Sequence, residues 1–206
     1  MKFGVNDNRY NMTQKLSFLL IIFLMTTSLK AQDLPYKEIP DYPADYTPGN
    51  VAARMIDGLG FRFYWATEGL RPEDLAYQPS EDARTLLETM RHIYGMSEMI
   101  MNAPSATPNE RPADFSGYSY EDFRRKTLEN LKAASKAMAN KNAEDFESFE
   151  VIFKRGEQQS SFPYWNLING MLSDCIYHTG QITLMRRSSG NPINPNVSVF
   201  MGRLRN

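Results

Sequence analysis

Two histidines and one aspartate are the residues best suited to chemistry in this sequence. The chain has only two histidines, His92 and His178, and Asp174 lies four positions before the second. Side chains four apart on a helix leave the same face, so Asp174 and His178 can hold one ion between them. Two imidazoles and a carboxylate suit zinc or a similar divalent ion and leave coordination positions open. An ordinary hydrogen-bonded Asp–His pair is the alternative interpretation of this spacing.

Three segments that include or flank these residues resemble the DinB-like superfamily. Residues 174–182, Asp-Cys-Ile-Tyr-His-Thr-Gly-Gln-Ile, are similar to the last-helix motif of that family. In that motif a histidine, three residues and a second histidine are followed by one residue and Gly-Gln. Residues 86–93 are similar to the second-helix segment that ends near the family's first ligand histidine, and residues 70–75 resemble the turn after its first helix.

The resemblance implies a helical bundle with an open-sided metal site, as in the thiol-dependent transferases and hydrolase-like members of the family. It implies that His92, Asp174 and His178 are the metal ligands. The family's usual set is three histidines, and Asp174 stands where the first histidine of the last-helix pair is expected. Aspartate is also a metal ligand, so zinc, nickel, iron and manganese all remain candidates. Weaker binding or loss of the metal is the alternative.

Two further residues are expected on the same flank as the Asp–His pair. Gln181 can orient a ligand or a bound water from outside the ligand set. Tyr177 can donate a hydrogen bond to a substrate oxygen, although a packed aromatic ring is the simpler interpretation. Both are therefore weaker candidates than the three ligands.

No residue outside the ligand set stands out as a base or a nucleophile, and the catalytic residues stay unassigned. Glu88 and Glu98 are candidate bases only because they are acidic and near His92 in the sequence. Cys175 is expected to face the core as a small apolar filler. No Ser/His/Asp order and no Gly-rich phosphate loop is visible in the sequence.

Four stretches of helical periodicity are expected to position these residues. The predicted helices cover residues 50–69, 81–101, 119–140 and 162–189, and Ser119 with Asp122 resembles a capping box at the start of the third. Their apolar stripes are expected to face one shared core: Met55, Leu59, Phe63 and Ala66; Leu86, Met90, Ile93, Ser97 and Ile100; Tyr120, Phe123, Thr127, Leu131, Ala134 and Met138; Ile168, Leu172, Cys175, Thr179 and Ile182.

The predicted fold class is all-α, a four-helix bundle of the DinB-like type in residues 49–206, with an extended C-terminal tail. Residues 32–48 hold four prolines and are expected to form an extended lead-in. The proline-containing stretch 102–117 is predicted to be a loop. Residues 149–153 are the only convincing strand-like run, and a lone short strand is unstable, so an extended loop is expected there.

Residues 1–31 have the pattern of a secretory signal peptide. The apolar run 16–25 follows Lys15, and its ten residues are too few to cross a bilayer core of about 30 Å as a helix. Small and polar residues then lead to Ala31, a suitable cleavage position. Met12 is a better start for such a peptide than the first methionine. An uncleaved membrane anchor is the alternative.

The signal peptide predicts an exported protein, periplasmic or extracellular, that is cleaved after Ala31. N-terminal sequencing of the exported protein is expected to read Gln32, Asp33 and Leu34 as its first residues. An intact N-terminus on a protein retained in the membrane would contradict both the cleavage and the export.

Charge and cysteine content restrict the partners. Residues 1–31 contain four basic residues and one acidic residue, so their removal leaves 19 basic and 23 acidic residues and a net charge of −4. An acidic surface without a basic stripe does not favour nucleic acid. The single cysteine excludes an intrachain disulfide. A small molecule is the expected partner, no stable membrane insertion is expected after cleavage, and a homodimer is left open.

Three hypotheses of function follow. The first is an exported, divalent-metal-dependent hydrolase or group transferase that acts on a small molecule. The second is a non-catalytic bundle that binds metal or a small ligand, and the third is a structural domain with a decayed site. Export argues against the thiol-transferase branch, since its low-molecular-weight thiol cosubstrates are cytoplasmic.

Overall fold

The structure is a computed structural model that describes residues 33–205. Most of these residues are in helices. The predicted signal peptide and its cleavage point lie outside the described residues. The long helices are α1 (Pro48–Thr67), α3 (Leu86–Asn102), α4 (Tyr120–Met138) and α6 (Ser173–Ser188). Two short helices, α2 (Pro72–Leu75) and α5 (Tyr164–Leu167), lie between them. Within the described part of the chain, no helix has the length and apolar character needed to cross a membrane.

Side-chain caps determine where the helices begin. The capping box predicted at Ser119 and Asp122 is confirmed at the start of α4. A second capping box, formed by Thr85 and Glu88, starts α3, with Glu88 N–H donating to Thr85 Oγ1 over 3.2 Å. Because this box satisfies the first free amides, α3 begins at Leu86, and the prediction of a helix from residue 81 is wrong.

The four long helices share one core. Helices α4 and α6 each pack against both α1 and α3. The predicted stripes of α3 and α4 are confirmed: all their members are buried except Tyr120, which is half-buried. Met55 is 51% exposed, because the core face of α1 begins one residue later, at the fully buried Ile56.

A π-helical turn, Ile168–Leu172, joins α5 to α6. This turn is wider than an α-helical one, so Ile168 does not lie above Leu172 as α-helical spacing requires. Ile168 is accordingly 38% exposed and Leu172 is buried, so the prediction that both face the core is wrong for Ile168. The predicted continuous fourth helix is therefore three consecutive helical segments, and it begins at Tyr164, two residues later than expected.

A small sheet packs beside the helices, so the fold is mostly helical and not all-α. Strand β2 (Glu150–Arg155) pairs antiparallel with β3 (Gln158–Pro163) and parallel with β1 (Asn109–Glu110). The prediction of a lone extended loop at residues 149–153 is wrong, because two partner strands satisfy the backbone of β2. The turn between β2 and β3 contains Gly156 at a φ of +57°, a conformation that side chains disfavour.

The lead-in has no helix or strand in residues 33–47, as expected, but it is part of the core. Tyr36 is only 6% exposed, and its hydroxyl donates to Asp57 Oδ1 over 2.9 Å. Its ring lies over Gly60 of α1, where a Cβ atom would stand 2.4 Å from Tyr36 Cδ2. The missing side chain of Gly60 therefore leaves room for the Tyr36 ring of the lead-in.

The C-terminal tail is a short hairpin instead of a simple extended segment. Strands β4 (Val197–Ser198) and β5 (Arg203–Leu204) pair antiparallel. Gly202 O accepts a hydrogen bond from Ile39 N–H over 2.8 Å, which links the hairpin to the lead-in.

A buried carboxylate ties α2 to the end of α6. Asp74 is fully buried and accepts hydrogen bonds from the Arg71 guanidinium at 2.8 and 3.0 Å. It also accepts from Ser189 Oγ and Asn191 Nδ2, each over 2.6 Å. The segment 70–75, which resembles the turn after the first helix of the DinB-like family, thus contains a helical turn with a structural role.

Candidate metal centre

Helices α3 and α6 bring the three predicted ligands together. His92 Nε2 lies 3.6 Å from Asp174 Oδ2, and His178 Nε2 lies 3.4 Å from the same oxygen. The two imidazole rings are edge to face, with centroids 4.8 Å apart and an interplanar angle of 84°. One ligand atom from each residue can be chosen so that all three lie within 4.8 Å of one another.

The adjacent core residues explain this placement. Ile93, beside His92, is fully buried, as is Cys175 beside Asp174. Burying these neighbours places His92 and Asp174 at the edge of the core between the two helices. The ligands consequently approach one another through the packing of α3 on α6.

The cluster is closed on one side and open on the other. The His178 side chain is 11% exposed, whereas those of His92 and Asp174 are 35% and 46% exposed. Solvent and a small molecule can therefore reach the open side, where a metal site of three protein ligands has its remaining positions.

Gln181 orients His178. His178 Nδ1 lies 2.6 Å from Gln181 Oε1, an oxygen that can only accept, so Nδ1 carries the proton. The other ring nitrogen, Nε2, is directed at Asp174, with Oδ2 3.4 Å away. A hydrogen bond to the second ring nitrogen is the usual support for a histidine that binds a metal.

Tyr177 lies beside the cluster without closing it. Its ring centroid is 5.4 Å from that of His178, and the residue is 64% exposed. The tyrosine is therefore available to a ligand at the open side. Tyr177 makes no hydrogen bond with His92, Asp174 or His178.

The surroundings of His92 favour its neutral form. Partial burial and the positive charge of Arg84 lower its pKa below the usual value for histidine, against an opposing contribution from Asp174. Neutral imidazole is the ligating form, so this shift favours coordination at neutral pH.

The donor set and its spacing fit a divalent ion. Two ligand atoms at about 2.0–2.2 Å from a tetrahedral ion lie roughly 3.3–3.6 Å apart. The two nitrogen–oxygen separations, 3.4 and 3.6 Å, correspond to this edge length. Imidazole nitrogen with carboxylate oxygen suits zinc, nickel, iron or manganese, and the geometry does not choose among them.

The weaker candidates from the sequence have structural partners. Glu88 caps α3 by accepting from Thr85 N–H over 2.8 Å, and this bond and the Thr85 hydroxyl lower its pKa. Glu98 accepts from Tyr94 Oη over 2.6 Å. Cys175 is buried as expected, and burial raises the pKa of its thiol. None of the three is positioned as a free base or nucleophile.

Two clefts flank the cluster. The first, of about 460 Å³, is lined by His92 together with Arg84, Arg91 and Arg111, and we call it the arginine cleft. The second, of about 330 Å³, is lined by His178 and Gln181 and by mainly apolar side chains. The three arginines were missed in the sequence, because they are scattered along the chain and form no basic run.

Comparison with known proteins gives one structural likeness. No protein-family model matches the chain, and no curated protein matches it either. A solved structure described as that of a DinB-like protein, YjoA of Bacillus subtilis, is similar with a TM-score of 0.51 at 12% sequence identity. The match covers 73% of this chain and 99% of that one. At this identity the likeness concerns the fold alone. The chain therefore has a DinB-like fold.

Proposed function

We propose that this chain is an exported, divalent-metal-dependent hydrolase or group transferase that acts on a small molecule. The observation that carries the proposal is the approach of His92 to His178, with Asp174 between them, across two helices. Helix spacing alone brings Asp174 near His178, but only the packing of α3 on α6 brings His92 to the pair. Export rests on the signal-peptide pattern of residues 1–31.

The residues of the chain have separate roles in this proposal. His92, Asp174 and His178 hold the ion, and Gln181 fixes the ring of His178 through Nδ1. A bound divalent ion would supply Lewis acidity at the open side of the cluster. The flanking clefts, of about 460 and 330 Å³, have the size of small-molecule sites.

A non-catalytic binding protein is the second candidate. It is favoured by the engagement of Glu88 and Glu98 in other hydrogen bonds, which leaves neither of these two carboxylates free to act as a base. A bundle that binds a metal or a small ligand without turnover needs no such base.

Metal content of the protein, purified without a histidine tag, tests the proposal. Elemental analysis is expected to find about one divalent ion per chain, chosen from zinc, nickel, iron and manganese. Because an ion that binds only the folded state stabilises it, chelation is expected to lower the melting temperature and re-addition to restore it.

The outcomes separate the three hypotheses. Metal-dependent turnover of a small ester, amide or phosphate ester, lost on chelation, supports an enzyme. Stoichiometric metal without turnover of any of these compounds supports a binding protein. A folded chain that takes up no divalent ion contradicts both and leaves a structural domain.

A further inference from the structure

Three arginines from separate parts of the chain converge on the arginine cleft. Arg84 precedes α3, Arg91 lies on α3, and Arg111 directly follows β1. The backbone N–H of Arg111 donates to Lys154 O on β2 over 2.7 Å, so the small sheet fixes the position of this arginine. The sheet that the sequence did not predict thus positions one arginine of the cleft lining.

No carboxylate of the described residues lies within ion-pair distance of these guanidinium groups, although Glu88 and Asp114 attract them from farther away. In the described part of the chain, none of the three forms an ion pair, whereas Arg71, Arg124 and Arg125 do. Arg91 and Arg111 lie over the rings of Phe115 and Phe153, at 5.9 and 5.7 Å from the centroids. Such contact with a ring face leaves the N–H groups at the guanidinium edge able to donate.

The cleft is positive in a chain that is net negative. Its lining contains three arginines and one glutamate, a formal charge of +2, while the whole chain carries −1. The glutamate is Glu88, whose carboxylate accepts hydrogen bonds from Thr85 and attracts Arg84 and Arg91 only from beyond ion-pair distance. A bound divalent ion would add further positive charge at the same place, and an anion would compensate it.

Apart from the arginines, Glu88 and His92, the lining has no polar side chain. Met96 and Met99 from α3 line the cleft together with Ala113 and Phe115. A bare inorganic anion would leave this surface in contact with water. A molecule with both an anionic group and an apolar part matches the whole cleft.

We propose that the arginine cleft binds a small organic anion, a carboxylate or phosphate group on an apolar body. The anionic group contacts Arg84, Arg91 and Arg111, and the apolar part lies against Met96 and Met99. This inference names the substrate class of the proposed site and so rests on the proposed function.

Binding of phenyl phosphate and benzoate to the untagged protein tests the inference, measured by calorimetry before and after metal loading. Both are expected to bind the metal-free protein. Inorganic phosphate is expected to bind more weakly, and neutral benzyl alcohol is expected to show no detectable binding. Arg91→Ala and Arg111→Ala are each expected to weaken phenyl phosphate about tenfold or more, since a hydrogen bond between charged groups is lost. Added salt is expected to weaken it further.

Arg187→Ala is the matched control, because Arg187 is an exposed arginine of α6 outside the cleft lining. It is expected to leave the affinity for phenyl phosphate unchanged. Binding of benzyl alcohol as strong as that of phenyl phosphate overturns the inference, as does an equal effect of the three arginine variants. Inorganic phosphate as tight as phenyl phosphate overturns the assignment of an organic anion.

The measurement on metal-free protein separates this inference from the proposed function. Anion binding without metal uptake supports the cleft and contradicts a metal-dependent function. Metal uptake with no anion bound, before or after loading and with folding verified by circular dichroism, contradicts the inference alone.

Discussion

The His178→Ala variant is expected to lose divalent metal binding. His178 offers one of the three candidate ligand atoms, and the chain has no third histidine that could replace it. Loss of a group that merely supports a ligand costs about tenfold to a hundredfold in affinity, so loss of the ligand itself is expected to cost at least about a hundredfold. Competition with a chelator of known affinity measures the change, and elemental analysis is expected to find almost no ion in the purified variant.

Three companion variants make this result interpretable. Asp174→His is expected to keep or tighten binding, because it restores the three-histidine set of the family that the sequence resembles. Gln181→Ala is expected to weaken binding about tenfold to a hundredfold through the lost bond to His178 Nδ1. Glu121→Ala, an exposed carboxylate on α4, is the control and is expected to have no effect. An unchanged metal content in His178→Ala would refute the assigned ligand set.

Replacement of Asp74 by alanine is expected to lower the free energy of unfolding more than any other single polar substitution in the described residues. The substitution leaves Arg71, Ser189 and Asn191 without the acceptor that their side chains share. The Arg71 side chain is 43% exposed and stays hydrated, so the cost comes from the lost hydrogen bonds to a charged acceptor, each worth about 1.5–3 kcal/mol. Urea unfolding monitored by circular dichroism measures the free energy of unfolding. The variant is expected to show a lower midpoint than the wild type with the same slope.

Glu73→Ala is the matched control, because Glu73 also pairs with Arg71, at 3.3 Å, but its side chain is 61% exposed. An exposed pair contributes less than about 1 kcal/mol, so this variant is expected to unfold close to the wild type. A loss for Asp74→Ala no greater than that for Glu73→Ala would contradict a structural role for the buried carboxylate.

The effect of Asp74→Ala is also expected to depend on pH. Hydrogen bonds from Arg71, and then from Ser189 and Asn191, hold the pKa of Asp74 well below its usual value. A lowered folded-state pKa contributes stability that is complete above the unfolded-state value, about 3.9, and is lost as pH falls through the folded-state value. The difference between wild type and variant should therefore be constant at neutral pH and shrink only below about pH 4.

Prediction from the sequence was most accurate where a local signal in the sequence agrees with the packing of the folded chain. The Ser119–Asp122 box starts α4, and the stripe from Leu86 to Ile100 is the core face of α3. It was less accurate where one local signal competes with another. Pro79 and Ser80 resemble a helix start, but the Thr85–Glu88 box satisfies the free amides at a later position.

The sheet and the arginine cleft could not be predicted from local pattern. Strand β3 reads Gln-Gln-Ser-Ser-Phe-Pro and is exposed throughout, so it has no apolar alternation to mark it as a strand. Strand β1 has only two residues and is a strand only because it pairs with β2. Arg111 reaches the cleft because of that pairing, which no spacing in the sequence reveals.

The candidate metal centre could be predicted in part from the sequence because helices have a fixed repeat. The spacing of Asp174 and His178 requires that they share a face, whatever the tertiary structure. The approach of His92 depends on how α3 packs on α6, which a single sequence does not determine. The resemblance of residues 86–93 and 174–182 to one family supplied the expectation that they meet.

The π-helical turn Ile168–Leu172 sets the rotational phase between the two halves of the last helix. Upstream, Tyr164 packs its ring edge-to-face against Phe146, near the sheet, and downstream, α6 carries Asp174 and His178. Each residue of an α-helix advances by about 100°, so one residue gained or lost in this turn would rotate one half against the other by that angle. The ligands would then leave His92, or Tyr164 would leave the core. The candidate metal centre therefore depends on the length of a segment that contains none of its proposed ligands.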